Sequence, residues 1–451
     1  MGGVVRMSDI PDVSQRGPMA ELIAKSGHLQ ANKRLCDEMQ PGIWKGRRCF
    51  VVGGGTSLSG FNFDKLRGEL VITVNRGLEA CPFSAINVAQ DARLWGWYEN
   101  GDLGQEAKKA FESYRGLKSW IAVQAFPFPE DVYQIGILHP DDFDWKTFDY
   151  TAGIPPYGNS GINALMVAMA LGASPVYLLG FDMYGKDGRT ANYHAGYPEG
   201  DTDRVYAGNF IPDFIELAER GKGSGIRVVN LNQQSAVRCF EFGSFADIDP
   251  IDRPMIVAFY TKGSGYDEEA RILEKSLIRY GLEYYIEGLE GAGSWQENVH
   301  LKPGFVARCM KRFPERDILY LDADSIVRSY PGLLDRLTGR GDVGVCVINW
   351  AKYGKPEWKA QLDGAVLYFK NCPRVRDLVG SWEAQDARLM GEGAEMSDQA
   401  ALQGILEASR DIKTFYLPDN YCQIFDMMKG AGEPVIEQMQ ASRRLRNGVR
   451  S

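Results

Sequence analysis

DILYLDADSIV, residues Asp317–Val327, joins a short apolar run to two aspartates one residue apart, Asp322 and Asp324. Ile318–Leu321 is typical of a buried strand, and the ligand sites of open α/β sheets form beyond the carboxyl ends of their strands. Residues i and i+2 of an extended chain point the same way, so both carboxylates can face one ligand. Two adjacent like charges raise each other's pKa unless a cation or hydrogen-bond donors intervene. The pair therefore predicts a site for Mg²⁺ or Mn²⁺, although a lone Asp-x-Asp is also common as a solvated turn or a helix cap.

The sequence on both sides of this strand alternates between strand and helix patterns. Strands are predicted at MIVAFYT (255–261), EYYIEGL (283–289), VGVCVIN (343–349) and GAVLYFKN (364–371). Helices are predicted at DEEARILEKSLIRYG (267–281), KPGFVARCMKRF (302–313), PRVRDLVGSWEAQ (373–385) and SDQAALQGILEAS (397–409). This alternation is typical of an α/β domain.

The first half of the chain shows the same alternation. RRCFVVGGGTSLSGFNFDKL (47–66) predicts a strand, a glycine turn and a helix, and further apolar runs alternate with helical segments such as GINALMVAMALGA (161–173). The segment FADIDPIDRP (245–254), rich in Pro and Asp, marks a domain boundary near residue 250. We therefore predict a helical extension over 1–45, a Rossmann-like domain over 46–250, a second α/β domain over 251–435 and a basic tail over 436–451.

The composition of the chain indicates which kinds of partner and which compartment the protein is expected to have. The chain has 451 residues, 44% of them hydrophobic, and a formal net charge of -8, which disfavours a surface dominated by polyanion binding. Its eight cysteines form no CxxC pair, which favours a reducing compartment. No segment predicts a signal peptide or a membrane span, so we expect a cytoplasmic protein of a bacterium or of a phage-infected host.

Several motifs of the second half occur in an order that resembles the GT-A type nucleotide-sugar glycosyltransferases over about residues 254–425. The resemblance is strongest to the retaining galactosyl- and glucosyltransferases. It implies donor-binding or catalytic roles for the residues that match the motifs of that family: Ala258, Phe259, Tyr260, Lys302, Asp322, Asp324, Asp363, Gly364, Asp398 and Gln399.

The resemblance also assigns roles within this set. Asp322 and Asp324 match the Asp-x-Asp pair that holds Mn²⁺ or Mg²⁺ against the diphosphate of the donor, which is most often a UDP-sugar. Asp398 and Gln399 match a pair that contacts the donor sugar near the reacting carbon and implies retention of configuration. The family often supplies a third metal ligand, usually His, near the end of the domain. This chain has no His there, so Asp426 or water would have to replace it.

The glycines of VVGGGTSLSGFNF (51–63) follow a strand directly, where backbone N–H groups can meet a phosphate. A tight turn that needs positive φ is an equally good interpretation of a glycine cluster. The segment lacks the spacing of the dinucleotide motif GxGxxG and the Lys of a P-loop.

Together with YGNSGINALMVAMALGASPVYLLGFDMYG (157–185) and NYHAGY (192–197), this segment resembles the bacterial sialyltransferases. It also resembles Rossmann-like proteins of flagellin glycosylation and hydroxymethylpterin pyrophosphokinase. The resemblance implies a nucleotide site made by Gly53, Gly55, Ser57, Asn75, Asn159, Ser160, Gly161, Asp182 and Tyr184. The general base of the family falls on Tyr197, and His194 could replace it as a catalytic residue if the loop shifts.

The motifs together predict a glycosyltransferase whose first domain adds a second transfer or presents the acceptor. The acceptor would be a surface glycan, a protein or a hydroxymethylated DNA base. The alternatives are a pyrophosphokinase-like first domain and a non-catalytic nucleotide-binding scaffold. The arginines of SRRLRNGVRS (442–451) are either part of a solvated tail or a contact to phosphate groups.

Overall fold

The computed structural model describes residues 33–121, 130–155, 157–186, 189–190, 192–194, 208, 210–392 and 397–446. The chain divides into two compact units, Met1–Ile248 and Asp249–Ser451. Each unit has helices and its own large sheet, so the predicted α/β class is confirmed.

The first unit is built on an eight-stranded sheet in which every pair of neighbouring strands is parallel. Its strands are β1 (Cys49–Val52), β2 (Leu70–Val74), β3 (Ile86–Ala89), β4 (Leu117–Ile121), β5 (Val132–Ile135), β6 (Val176–Leu179), β9 (Val228–Asn230) and β10 (Glu241–Phe242), while β7 (Gly185–Lys186) and β8 (Arg189–Thr190) form a separate pair. The strand order is β10-β9-β6-β1-β2-β3-β4-β5, so the direction of winding reverses between β1 and β6. Ligand sites in open α/β sheets form at such a switch point.

The helices of the first unit explain why β1 and β2, near the centre of its sheet, are buried along their whole length. They are α1 (Leu35–Glu38), α2 (Gly77–Ala80), α3 (Ala92–Asn100), α4 (Gln105–Ser113), α5 (Ser160–Ala170) and α6 (Ile211–Arg220). Helix α5 packs against β1, β2 and β3, and nearly all of its residues are buried. Strands of a parallel sheet covered on both faces are expected to be continuous apolar runs, as β1 and β2 are.

The segment that follows β1 and the glycine turn does not form the helix that was predicted there. Two 3₁₀ turns, Thr56–Leu58 and Phe63–Leu66, replace that helix. Asp182 binds the Ser57 N–H and hydroxyl, and Asn62 caps the second turn through the Asp64 N–H. Side chains that bond nearby backbone groups compete with helix formation, which explains the difference.

The second unit has a mixed six-stranded sheet with the order β12-β11-β13-β16-β15-β17. Its strands are β11 (Met255–Thr261), β12 (Tyr284–Leu289), β13 (Ile318–Leu321), β15 (Val343–Ile348), β16 (Gln361–Phe369) and β17 (Thr414–Tyr416), and a small second sheet contains β14 (Ser325–Val327), β18 (Gln423–Ile424) and β19 (Ile436–Gln438). The helices are α7 (Tyr266–Arg279), α8 (Trp295–Val299), α9 (Leu301–Arg312), α10 (Pro373–Gly391), α11 (Ser397–Ala408) and α12 (Ala441–Arg446).

The last described residues belong to the second unit and not to a separate tail. Strand β19 pairs with β14, which begins directly after Asp324, and α12 follows β19. The predicted domain end at 435 falls just before β19, because a three-residue strand has too few residues for a recognisable period. No helix in the described part of the chain combines the length and the apolar composition that a membrane span requires.

Candidate functional site

A cavity of about 720 Å³ opens in the second unit at the carboxyl ends of β11 and β13. Eight of the residues that the sequence analysis selected line it: Phe259, Tyr260, Lys302, Asp322, Asp324, Asp363, Asp398 and Gln399. Ala258 is fully buried in β11 behind the cavity wall. The structure therefore brings together side chains from β11, β13, β16, α9 and α11, which lie far apart in the sequence.

Lys302 is the buried cation of this cavity. Its ammonium group lies 3.3 Å from Asp322 Oδ1 and 3.0 Å from Asp398 Oδ2, and it donates to the Gly364 carbonyl oxygen at 3.2 Å. Burial alone would lower the pKa of Lys302, but the charges of Asp322 and Asp398 raise it. Lys302 is therefore charged at neutral pH. It links α9 to Asp322 and to Asp398 on other sides of the cavity.

Asp398 is the most deeply buried acid that lines the cavity, with 1% of its side chain exposed. Within the described residues, neither of its carboxylate oxygens accepts a well-aligned hydrogen bond, although Lys302 lies at ion-pair distance. Its backbone carbonyl accepts a hydrogen bond from Trp382 Nε1 at 2.7 Å, which fixes the start of α11. Buried oxygens without aligned donors are expected to accept hydrogen bonds from a ligand.

Gly364 explains how Gln399 comes to lie at the cavity wall. A Cβ atom at Gly364 would lie 2.9 Å from Gln399 Cγ and 3.2 Å from Lys302 Nζ. Only glycine allows both side chains to lie this close to the backbone of β16. Gly364 thus shapes the cavity in two ways. Its carbonyl oxygen accepts the hydrogen bond from Lys302, and its lack of a side chain leaves room for Gln399.

Asp322 is partly exposed, with 32% of its side chain accessible. Its Oδ1 accepts a hydrogen bond from the Tyr320 hydroxyl at 2.8 Å, and its backbone N–H donates to the Ala365 carbonyl at 2.9 Å. The hydrogen bond to Ala365 continues the β13–β16 pairing by one residue. Asp322 therefore stands beside the segment that carries Asp363 and Gly364.

Asp324 is partly buried, and it binds the last segment of the unit. Its Oδ2 accepts a hydrogen bond from the Ala441 N–H at 2.7 Å. Burial and then the charge of Asp322 raise the pKa of Asp324 to about 7. An acid whose pKa is raised in this way by a like-charged neighbour is held ionised most readily by a cation.

The carboxylate oxygens of Asp322 and Asp324 suit Mg²⁺ or Mn²⁺ as ligands. Across the described residues, no three or more His, Cys, Asp or Glu side chains are grouped closely enough to hold a metal. Asp426, considered as a third ligand from the sequence, forms an ion pair with Arg443 at 2.7 Å instead. Asp322 and Asp324 fit a cation that takes its other ligands from phosphate, water or a side chain of another type.

Asp363 lies on β16, opposite Cys346 of β15, where the pairing of the two strands becomes irregular. Its Oδ1 accepts a hydrogen bond from the Ala365 N–H at 2.8 Å. Burial raises the pKa of Asp363 to about 6, and the nearby Asp322 contributes in the same direction. Asp363 is thus, after Asp324, a second acid in the cavity whose pKa is raised.

The glycine turn of the first unit lies at the switch point between β1 and β6. A Cβ atom at Gly53 would lie 2.7 Å from the Gly180 carbonyl oxygen, and one at Gly55 would lie 2.4 Å from Asp182 Cγ. The Asp182 carboxylate accepts hydrogen bonds from the Ser57 N–H at 2.8 Å and from Asn232 Nδ2 at 2.8 Å. These glycines therefore permit close packing of two loops, and Asp182 holds the loops together.

Three selected residues of the first unit lie at the start of α5. The Asn159 side chain caps the helix by accepting a hydrogen bond from the Gly161 N–H at 2.6 Å, and Ser160 is the first helical residue. A Cβ atom at Gly161 would lie 2.8 Å from the Phe181 ring, so the glycine is required by packing. Asn159 and Gly161 are thus explained by the helix start itself.

Asn75, Tyr184 and His194 remain as candidates for ligand contact in the first unit. Asn75 follows β2 with a positive φ of 51°, and its buried Oδ1 accepts no hydrogen bond within the described residues. Tyr184 is 38% exposed. Burial lowers the pKa of His194 to about 4, with a further lowering from Arg76, so the imidazole is neutral at pH 7 but a weak base. Tyr197 lies outside the described residues.

Comparisons with known proteins give matches among solved structures alone. No protein-family profile matches the chain, and no curated protein matches it. One matching structure is a glycosyltransferase involved in the glycosylation of the major capsid of PBCV-1, with 11% identity and a TM-score of 0.35 over 43% of this chain and 98% of that chain. A second is mouse xyloside xylosyltransferase 1, with 11% identity and a TM-score of 0.29 over 42% of this chain and 98% of that chain. A third is the glycosyltransferase GlyE in Streptococcus pneumoniae TIGR4, with 18% identity and a TM-score of 0.30 over 42% of this chain and 54% of that chain.

These three structural neighbours are glycosyltransferases.

The cavity also contains residues that the sequence analysis did not select. Tyr266 and Asn298 line it from α7 and α8, and Gln440, Ser442 and Arg443 line it from the last segment of the unit. Tyr266 follows a turn with two left-handed glycines, Gly263 and Gly265. This glycine turn after a strand is the sequence pattern that could have identified Tyr266. The last segment gave no such signal, because only the pairing of β19 with β14 brings it to Asp324.

Proposed function

We propose that the second unit transfers a glycosyl group from a nucleoside diphosphate sugar to an acceptor hydroxyl. The observation that carries the proposal is the convergence of Asp322, Asp324, Lys302, Asp398 and Gln399 on one cavity of about 720 Å³. A strand end with paired carboxylates suits a metal–diphosphate group. A deeper wall of carboxylate and amide groups suits the hydroxyl groups of a sugar.

Each polar residue has a separate role in this proposal. Asp398, whose oxygens lack aligned donors, accepts hydrogen bonds from sugar hydroxyls, and Gln399 contacts the sugar beside it. Lys302 pairs with Asp398 and positions it, because its ammonium group is already bound by two carboxylates and a carbonyl. Phe259 and Tyr260 form the wall for the nucleoside at the end of β11.

The reaction exchanges one bond at the anomeric carbon for another. The bond from this carbon to the diphosphate oxygen breaks, and the electron pair leaves on the diphosphate. The acceptor oxygen forms the new bond to the carbon, and its proton passes to the released diphosphate. When Mg²⁺ or Mn²⁺ is bound, it supplies Lewis-acid stabilisation of the departing diphosphate. Asp322 and Asp324 would hold that ion.

The acceptor is proposed at the level of chemical class only, as a hydroxyl group of a glycan, a protein or a hydroxymethylated DNA base. The net charge of -8 favours a glycan or a protein over DNA. A duplex acceptor would bind with strong salt dependence, so retention on DNA at low salt distinguishes it from the others.

The first test is a thermal-shift screen with UDP-, GDP-, CMP- and ADP-sugars, each in Mn²⁺ and in EDTA. A ligand that binds the native state raises the melting temperature by mass action, so no acceptor is needed. We expect a shift with one diphosphate sugar that requires Mn²⁺ and is lost in Asp324→Ala. An Asp419→Ala variant is the matched control, since Asp419 is bonded to Lys352 and Tyr353 and does not line the cavity.

Two results would contradict the proposal. Donor hydrolysis and transfer that survive Asp324→Ala would remove the second unit's aspartate pair from the reaction. A lack of any shift with every donor would favour a non-catalytic scaffold.

For the first unit we propose binding of a nucleotide or an acceptor group at the carboxyl end of β2. Asn75 carries this second proposal, because it combines a left-handed backbone with a buried Oδ1 that has no hydrogen-bond partner in the described part of the chain. CMP and ATP titrations of the wild type and Asn75→Ala test it. Consumption of ATP with hydroxymethylpterin would instead favour a pyrophosphokinase activity.

A further inference from the structure

We propose that the side-chain amide oxygen of Gln440 is a third protein ligand of the cation that Asp322 and Asp324 would hold. This inference rests on the proposed function of the second unit. It gives a role to a residue that the Asp-x-Asp motif does not include.

Asp324 binds the chain on both sides of Gln440. The Met439 N–H donates to the Asp324 backbone carbonyl at 3.0 Å, and the Ala441 N–H donates to Asp324 Oδ2 at 2.7 Å. Gln440 therefore has its position fixed relative to one proposed ligand by two hydrogen bonds. Gln440 lines the same cavity as Asp322 and Asp324.

The backbone of Gln440 is in the left-handed region, with a φ of 53°. This conformation is uncommon for residues other than Gly, Asn and Asp, and it persists where surrounding contacts enforce it. The two hydrogen bonds to Asp324 are those contacts. The carboxamide makes no hydrogen bond within the described residues, so the fold holds Gln440 here without using its polar end.

The coordination chemistry of the site has room for such an oxygen. Two carboxylates leave an octahedral cation with open positions, and amide oxygens are hard ligands like carboxylates and water. Asp426 is already bound to Arg443, as described above. A site made of Asp322, Asp324 and Gln440 contains oxygen donors only, so it should discriminate little between Mg²⁺ and Mn²⁺.

Direct binding of Mn²⁺ in the presence of UDP, measured from the electron paramagnetic resonance of free Mn²⁺, tests this role without relying on turnover. Gln440→Asn is the informative variant, since Asn tolerates the left-handed backbone and keeps the amide but is shorter by one methylene. We expect its affinity for Mn²⁺ to fall by at least about tenfold. Gln361→Asn, an exposed residue on β16, is the matched control and should bind as the wild type does.

A second comparison uses Gln440→His. An imidazole nitrogen favours Mn²⁺ over Mg²⁺ more than an amide oxygen does, so the ratio of the two affinities should rise. Melting temperatures of all variants check that each one folds.

The outcomes separate this inference from the proposed function. Loss of affinity in Gln440→Asn and in Asp324→Ala, but not in Gln361→Asn, supports both. Loss in Asp324→Ala alone overturns the role of Gln440 and leaves the aspartate site in place. Absence of Mn²⁺ binding in the wild type with UDP overturns both.

Discussion

Lys302 Nζ lies 3.0 Å from Asp398 Oδ2, and both side chains are almost completely buried in the wall of the cavity. Removing one partner of such a pair leaves an uncompensated buried charge. We therefore expect Lys302→Met to lower the free energy of unfolding by about 3–5 kcal/mol, measured by urea denaturation. Adding Asp398→Asn to Lys302→Met should restore part of the loss, because the unpaired charge is then gone.

The ion pair of Lys352 and Asp419, in which the Lys352 side chain is 60% exposed, is the control for this prediction. Lys352→Met should change the free energy of unfolding by less than about 1 kcal/mol, because solvent screens the charge of an exposed lysine. A Lys302→Met variant as stable as the wild type would mean that the pair is not formed in solution.

The sequence was sufficient to predict most of the second unit and much of its cavity. Asp322 and Asp324 were recognisable because a strand end with two carboxylates is a local pattern. Gln440 and Arg443 were not recognisable, because they reach the cavity through a three-residue strand that pairs more than 100 residues away in sequence, at Ser325–Val327.

The first unit shows the opposite case, in which a local pattern has two physical explanations. A glycine turn after a strand suits a phosphate, but Gly53 and Gly55 are also required by the close approach of Gly180 and Asp182. That approach joins residues distant in the chain and depends on β1 and β6 being neighbours. The topology that distinguishes the two explanations is therefore not contained in the motif.

Asp363 should make the stability of the second unit depend on pH. Its pKa is raised by burial to about 6 in the folded protein, from an unfolded value near 3.8. Between these values the folded state holds a proton that the unfolded state has lost, so the stability from this group is present below about pH 4 and falls as the pH rises through about 6. Asp363→Asn should flatten the dependence over this range in urea titrations done in EDTA. An unchanged slope would contradict the buried position of the carboxyl group.

His194 should have the opposite effect in the first unit. Its pKa is lowered by burial to about 4 in the folded protein, from 6.5, so between these values only the unfolded state binds the proton. The stability from this group is therefore present above about pH 6.5 and is lost as the pH falls through about 4. His194→Gln should remove this acid dependence, whereas His139→Gln, at an exposed position, should not. Titration of the His194 imidazole near pH 6.5 by NMR would show that the side chain is solvated instead.

Gly55→Ala distinguishes the structural role of the glycine turn from a role in ligand binding alone. The added Cβ atom would lie 2.4 Å from Asp182 Cγ, so Asp182 and its hydrogen bonds to the Ser57 N–H and Asn232 must move. Overpacking of this kind destabilises by about 1–3 kcal/mol, which urea denaturation would detect. Gly96→Ala is the control, because nothing lies within 4 Å of its added Cβ atom in helix α3, and this change should stabilise by about 0.5–1 kcal/mol. If Gly55→Ala keeps the stability of the wild type but no longer binds a nucleotide, then the turn exists for the phosphate, and the close packing on Asp182 is incidental.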